Sequence, residues 1–365
     1  MRRVSVGWKV GWKVYLPVVR NTGGRVGRAD VFGGSMAARA TRSASRAARV
    51  TEAVATGPLG ALSHDELGVI FDGLADPLQP VVAVALSSTC LGLRTPLRAA
   101  LKVLHQQHEN VKRIGRMVWA RGTFRNVWKC SWLANVEHLS LTNKGLTLND
   151  MATLGTLLRR GQLPKLHQLD LDNNGGRSNT CADAGMEALF EGLGRGSAPA
   201  LESLNLCLLN IGPAGAQALA AALHRGALPT LRTLYLTGNP IGNQGVAALA
   251  TPLRKLPLLS TLVLCDTGIG DEGITSLVAD LGKDDFKKLE LLWNYGFSIK
   301  LDGPLANKIT EVGWATLVAA LDAGGMPALI YHHFLMQYCP HVCTSAVQAV
   351  RAALTRAQER RDAKP

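Results

Sequence analysis

Gly268, Gly270 and Gly273 stand in the spacing G-x-G-x-x-G, between a strand-like "LSTLVLCD" and a helix-like "ITSLVADL". That arrangement allows a tight turn, close backbone approach and a helix N-terminus aimed at a pyrophosphate. Asp284, Asp285 and Glu290 follow, where a ribose-binding acid would be sought. A second cluster, His332, His333, Cys339, His341 and Cys343, gathers zinc-type ligands, but its spacing fits no zinc finger and reads as a terminal cap. Trp119, Phe124 and Trp128 lie among the nine Lys/Arg of residues 94–129, which hold a single acid. Such a mixture can stack bases and neutralise phosphates, or form a linking helix whose aromatics dock inward while its cations face water. The chain has no G-x-S-x-G elbow, H-E-x-x-H, G-x-x-x-x-G-K-[ST] loop or paired C-x-x-C. No catalytic constellation, metal site or cofactor is therefore expected.

The elements around the glycine motif belong to a larger pattern. L-x-x-L-x-L recurs at Val136-Leu139-Leu141, Leu166-Leu169-Leu171, Leu201-Leu204-Leu206, Leu231-Leu234-Leu236 and Leu259-Leu262-Leu264. Degraded copies start at Leu289 and Leu329, and successive starts lie 30, 35, 30, 28, 30 and 40 residues apart. Each unit continues through a turn into a small-residue helix such as "AQALAAALHRG". One unit cannot bury both its strand face and its helix face, so stacked neighbours must build one continuous core. The long spacings hold insertions at 173–181 and 295–308, expected as loops. In register, Gly270 and Gly273 align with Gly212 and Gly215 and with Gly242 and Gly245, while Gly185 and Gly313 continue the last column. Gly268 aligns with Asn210 and Pro240. The last two glycines thus serve a turn common to all units, and the first is expected to be incidental.

"LPTLRTLYLTGNPIGNQGVAALATPL" resembles the leucine-rich repeat of the ribonuclease-inhibitor type, over roughly residues 136–355. The resemblance implies an α/β solenoid, a horseshoe of alternating strands and helices preceded by a small helical module. Asn174 and Asn239 fill the asparagine position after the strand, which Leu209 and Thr267 occupy elsewhere. Strand residues between the inward leucines face the concave surface. The expected partner-binding set is Gln168, Asp170, Asp172, Ser203, Asn205, Thr233, Tyr235, Thr261, Val263 and Trp293, with His138, Ser140, Thr142, Cys207, Thr237, Cys265 and Leu291 along the same rows. Tyr235 and Trp293 are the aromatic anchors of such a face. The resemblance implies a non-enzymatic scaffold holding a protein on this face. Ran GTPase activators use the same repeat type, so regulation of a GTPase is the alternative, with nucleic-acid binding by 94–129 behind both.

Ahead of the repeats, Ser63 and Glu66 form a capping box opening an amphipathic helix with Leu67, Ile70, Phe71 and Leu74 on one face. Leu62, Glu66, Leu67, Ile70, Phe71, Leu74 and Cys90 together resemble an F-box, with Ser63 in place of its proline and Leu93 in place of its tryptophan. That resemblance implies docking to the Skp adaptor of a cullin ubiquitin ligase through Leu62, Leu67, Ile70, Phe71 and Leu74. A plain helical N-terminal cap fits the same residues.

The net charge of +13 on 365 residues is local. Residues 1–56 carry eleven Lys/Arg against two acids, 57–93 four acids alone, and 130–365 twenty of each sign. The first segment reads as a disordered basic leader or an organelle-targeting sequence, with Met36 as an alternative start. The expected organisation is leader 1–56, F-box-like module 57–93, basic linking region and repeat cap 94–135, repeats 136–355 and charged tail 356–365. Seven scattered cysteines fit reduced thiols of a cytoplasmic or nuclear protein. No run of eighteen apolar residues marks a membrane span.

Overall fold

The computed structural model describes residues 6–7, 13–14, 70–71, 75–78, 80, 83–84, 97–119, 130–175, 182–282, 285–292, 307–329 and 344–363. The chain divides into two units, Met1–His108 and Glu109–Pro365. In the first, strands β1 (Val6–Gly7) and β2 (Lys13–Val14) pair antiparallel. Phe71, Ala75, Ala83, Leu97 and Leu104 form an apolar cluster, and His108 Nδ1 lies 2.6 Å from the carbonyl of Pro77. The last part of this unit is the start of helix α1 (Arg98–Trp119).

The second unit carries the repeats. Strands β3 (His138–Ser140), β4 (Gln168–Asp170), β5 (Ser203–Asn205), β6 (Thr233–Tyr235), β7 (Thr261–Val263) and β8 (Leu291–Leu292) form one parallel sheet in chain order. They are numbered here as repeats one to six. Each strand is followed by a helix: α2 (Leu148–Arg159), α3 (Asp183–Phe190), α4 (Pro213–His224), α5 (Gly242–Arg254), α6 (Asp271–Val278) and α7 (Glu311–Asp322). Helix α8 (Thr344–Asp362) packs on α7, where Arg356 bonds both carboxylate oxygens of Asp322.

The repeat pattern dictates this stack. The mid-strand leucines Leu139, Leu169, Leu204, Leu234, Leu262 and Leu292 are directly in register and at most 1% exposed. A helix column of Leu154, Leu189, Leu219, Leu249, Leu277 and Leu317, also at most 1% exposed, closes against it. Each such side chain contributes about 1.5–3 kcal/mol by leaving water, and every repeat buries its leucines only beside its neighbours.

The turns between strand and helix explain the glycines. Three residues past the end of each of strands β3 to β7 the backbone is left-handed: Asn143, Asn173, Leu208, Gly238 and Asp266 have φ of 53°, 56°, 54°, 73° and 50°. Two residues on, Gly145, Asn210 and Gly268 are left-handed again, at 60°, 60° and 70°. Gly268 is therefore not incidental, because the turn of its repeat is left-handed there, as in repeats one and three, although Gly175 at the same position of repeat two is not. In repeat four Pro240 cannot adopt it, and the left-handed residue becomes Gly242 at 63°. Gly273 serves packing instead: a Cβ there would lie 2.5 Å from Ile269 Cγ2 and 2.9 Å from Asn243 Oδ1. Gly215, Gly245 and Gly313 are crowded in the same way by Ile211, Ile241 and Ile309.

The first repeat breaks this column. Its equivalent residue is Asp150, fully buried, which completes a capping box with Thr147 and pairs with Arg113 of α1 at 2.8 Å. Here the neighbour is α1 rather than another repeat helix, so a charge pair stands where glycine gives close approach elsewhere. The sequence reading has the cations of this segment facing water, but Arg113 bonds inward to Asp150. The side chains of Trp119, Phe124 and Trp128 are outside the described residues.

Candidate concave interaction face

The three-residue strands set every second side chain on the sheet's open face. His138, Ser140 and Gln168 are exposed; Thr142, Asp170, Asp172, Ser203, Asn205, Cys207, Thr233, Tyr235, Thr237, Thr261 and Cys265 are half-buried. Register brings Gln168 beside Ser203, Thr233 and Thr261 in one row, and Asp170 beside Asn205, Tyr235 and Val263 in the next. The expected face is therefore contiguous. Val263 departs from it: at 3% exposure, this short side chain beside Tyr235 offers a partner almost no surface. Trp293 lies outside the described residues, so Tyr235 is the described aromatic of the set.

The polar end of the face is pre-organised. Asp170 Oδ2 accepts from the Thr142 hydroxyl at 2.8 Å and from Ser140 at 3.5 Å, while its Oδ1 accepts the Asp172 backbone N–H at 3.1 Å. One repeat further, Asn205 Oδ1 accepts the Cys207 N–H at 3.1 Å, reproducing the same turn with a neutral side chain. Burial, and next the Asp170 charge, push the Asp172 carboxyl above its usual range. Burial also pushes the Cys207 thiol up to about 11, against weaker opposing hydrogen bonds to Thr237. A thiol of that kind is a poor nucleophile at neutral pH. The face thus presents hydroxyls, amides and one carboxylate pair, suited to hydrogen-bonded recognition.

Two features were missed by reading the sequence. Leu208 follows Cys207 on the rim and is 49% exposed, although its column otherwise holds Asn, Gly or Asp. Its break with that column was the available signal. Asn307 is the second. Asn174 and Asn239 are buried, and each carboxamide oxygen accepts two backbone N–H groups from the preceding repeat: Lys144 and Leu146 for Asn174, Leu209 and Ile211 for Asn239. Asn307 does the same for Thr267 and Ile269 of repeat five. The shared spacing of six residues from Asn239 to Gly245 and from Asn307 to Gly313 would have shown it.

At the glycine motif, the Gly270 N–H that a pyrophosphate would need donates to Asn243 Oδ1 at 2.7 Å. The neighbouring repeat's side chain fills that helix N-terminus. In the N-terminal module, Ile70 is 37% exposed, but Phe71 is 1% exposed inside the apolar cluster. Phe71 therefore supports the module's core rather than an adaptor surface. Leu62, Leu67, Leu74 and the histidines and cysteines of 332–343 lie outside the described residues. Among the described residues no group of three His, Cys, Asp or Glu is placed to hold a metal ion. No described helix is long and apolar enough to cross a membrane.

A family model described as Leucine Rich repeat matches residues 227–250, the stretch holding β6 and most of α5. No curated protein matches the chain. The match falls on the repeat that holds β6, the buried Asn239 and most of α5, and the strands of the flanking repeats pair with it in register. With six parallel strands alternating with helices, this part of the chain is a leucine-rich-repeat solenoid.

Proposed function

We propose that the chain is a non-enzymatic interaction scaffold whose concave face holds a protein partner. Leucine-rich repeats generally mediate protein–protein interaction, and this reading applies that role to a defined set of residues. The observation that carries it is the aligned, half-buried row Asp170, Asn205 and Tyr235, flanked by Gln168, Asp172, Ser203, Thr233 and Thr261. Half-buried polar side chains already held by their neighbours lose little side-chain entropy on binding, and a tyrosine among them supplies apolar area with a polar tip. Affinity capture with the intact chain tests it. Tyr235→Ala and Asn205→Ala are expected to lose a partner that the wild type retains, while Glu187→Ala, at an exposed position of α3, retains it. Equal recovery by all three variants would refute the concave face as the site.

The ubiquitin-ligase extension is a separate part of the proposal. It rests on the F-box-like order of residues 62–90 ahead of the repeats and on the exposed Ile70. Ile70→Asp is expected to abolish recovery of a Skp adaptor. Phe71 is unsuitable for this test because its burial makes any charge there a folding defect.

A further inference from the structure

The side chains that tie neighbouring repeats together differ from junction to junction along the solenoid. Asn174, Asn239 and Asn307 tie the turns of repeats one to two, three to four and five to six. Besides the accepted N–H groups, each donates Nδ2–H back across its junction, to the carbonyls of Leu141, Leu206 and Leu264 respectively. At the junction of repeats two and three the same position is Leu209, whose buried side chain cannot bond. At the junction of repeats four and five it is Thr267. Its hydroxyl donates to the Leu264 carbonyl of its own repeat at 2.7 Å and meets Asn307 of repeat six at 3.1 Å.

At those two junctions the side-chain ties lie in the helix layer alone, whereas the junction of repeats five and six has both Asn307 and a helix-layer tie, Asp271 accepting from the Thr310 and Gly313 N–H groups. Asp183, first residue of α3, accepts the backbone N–H groups of Gly212 and Gly215 at the start of α4, at 2.6 and 2.9 Å. At the other helix ends, Arg225 donates back to the carbonyls of Leu193 and Phe190, at 2.7 and 2.9 Å. The junction of repeats four and five repeats the device: Asn243 accepts from Gly270, and Arg254 donates to the carbonyls of Leu277 and Ser276. Acid at helix N-termini and arginine at C-termini also suit the helix dipoles.

We propose that the solenoid flexes as three two-repeat blocks, repeats one–two, three–four and five–six, hinged at the junctions of two with three and four with five. The helix-layer ties act as the pins, and the strand-side turns, joined there by backbone bonds (Gly175 N–H to the Leu208 carbonyl, Gly242 N–H to the Thr267 carbonyl) and by no asparagine, are the edges that open. Asn174 and Asn239 accept N–H groups of the preceding repeat and donate to carbonyls of both repeats, so separating the two repeats of a block leaves buried polar groups unpaired. The consequence for the concave face is direct. Gln168, Asp170 and Asp172 belong to the first block, and Ser203, Asn205, Thr233 and Tyr235 to the second. A ligand touching both sets bridges a hinge and fixes the curvature there.

Hydrogen exchange of the intact chain, read by mass spectrometry at rising denaturant below the unfolding midpoint, tests the proposal without any substitution. Exchange is expected to open in pairs, with α2 and α3, α4 and α5, and α6 and α7 each sharing one denaturant dependence. Asn174→Ala should then speed exchange about tenfold or more in both α2 and α3 and leave α4 unchanged, the scale of one lost buried tie. Six independent openings, one global opening, or an Asn174→Ala effect confined to one helix or spread evenly over all repeats would overturn it.

Discussion

Replacing Asn239 by alanine tests how the repeats are held together. The carboxamide is fully buried and makes five hydrogen bonds. Four are short: Leu209 and Ile211 N–H donate to Oδ1 at 3.0 Å each, and Nδ2–H donates to the carbonyls of Leu206 and Leu236 at 2.8 Å each. The fifth, to Thr237, is long at 3.4 Å and adds little. Alanine orphans two donors and two acceptors. At about 1–3 kcal/mol per unpaired buried group the upper limit is about 12 kcal/mol, but water entry and relaxation leave a few kcal/mol, and we expect about 4. That is a large share of the roughly 5–15 kcal/mol of a typical domain. The assay is urea unfolding followed by circular dichroism, with Thr237→Ala as a neighbour that keeps the carboxamide. Asn239→Asp separates the two halves of the site. A carboxylate still accepts from Leu209 and Ile211 but cannot donate to Leu206 or Leu236, and it buries a charge, so it should be at least as damaging as alanine. A loss below about 1 kcal/mol for Asn239→Ala, on the scale of one ordinary hydrogen bond, would refute the reasoning.

Four further outcomes follow from the same geometry. Gly245→Ala drives a Cβ into Ile241 Cγ2 and places it 3.1 Å from Ala216 Cβ, so it should cost about 1–3 kcal/mol by overpacking. Gly268→Ala meets nothing within 4 Å and should cost only the left-handed backbone penalty, about 1 kcal/mol, in the same unfolding assay. Cys207, with its thiol raised from 9.0 to about 11, should alkylate roughly a hundredfold more slowly at pH 8 than an ordinary exposed cysteine, as read by mass spectrometry. The two aspartates of opposite shift should respond oppositely to pH. Burial acts to raise the Asp271 carboxyl, but hydrogen bonds from Thr310 and Gly313 outweigh it and hold the pKa low. Its stabilisation is therefore present above the ordinary carboxylate range and lost as pH falls below about 4, so Asp271→Ala should lower the melting temperature at pH 7 and change little at pH 2. Asp172 is raised, so its charged form is the less stable one in the fold; Asp172→Asn should raise the melting temperature at pH 7 and have little effect at pH 3.

Much of this was legible in the chain. The six strands fall on the leucine pattern, and the concave rows follow from period-two alternation, because a strand offers only two faces. What periodicity cannot supply is the identity of a side chain's neighbour in the next repeat. Val263 alternates like its row yet is buried, since exposure depends on what flanks it laterally. Phe71 shares a helix face with Ile70 in the pattern, but the apolar cluster takes only one of them inward. Gly268 reads as unaligned beside Asn210 and Pro240 until backbone angles show two residue types meeting one conformational need and a third shifting it by two positions. Asn307 is separated from its strand by the long insertion of repeat six, which hides its place in the asparagine column. Asp150 fills a glycine position because α1 precedes it, a fact of tertiary neighbourhood that no repeat alignment contains.

The most direct test of the concave-face assignment is site-specific photo-crosslinking of the intact chain from position 235, compared with position 187 on the outward helix α3. The predicted result is a discrete protein adduct from position 235 that position 187 does not give. Equal adducts from both positions, or an adduct from position 187 alone, would contradict it.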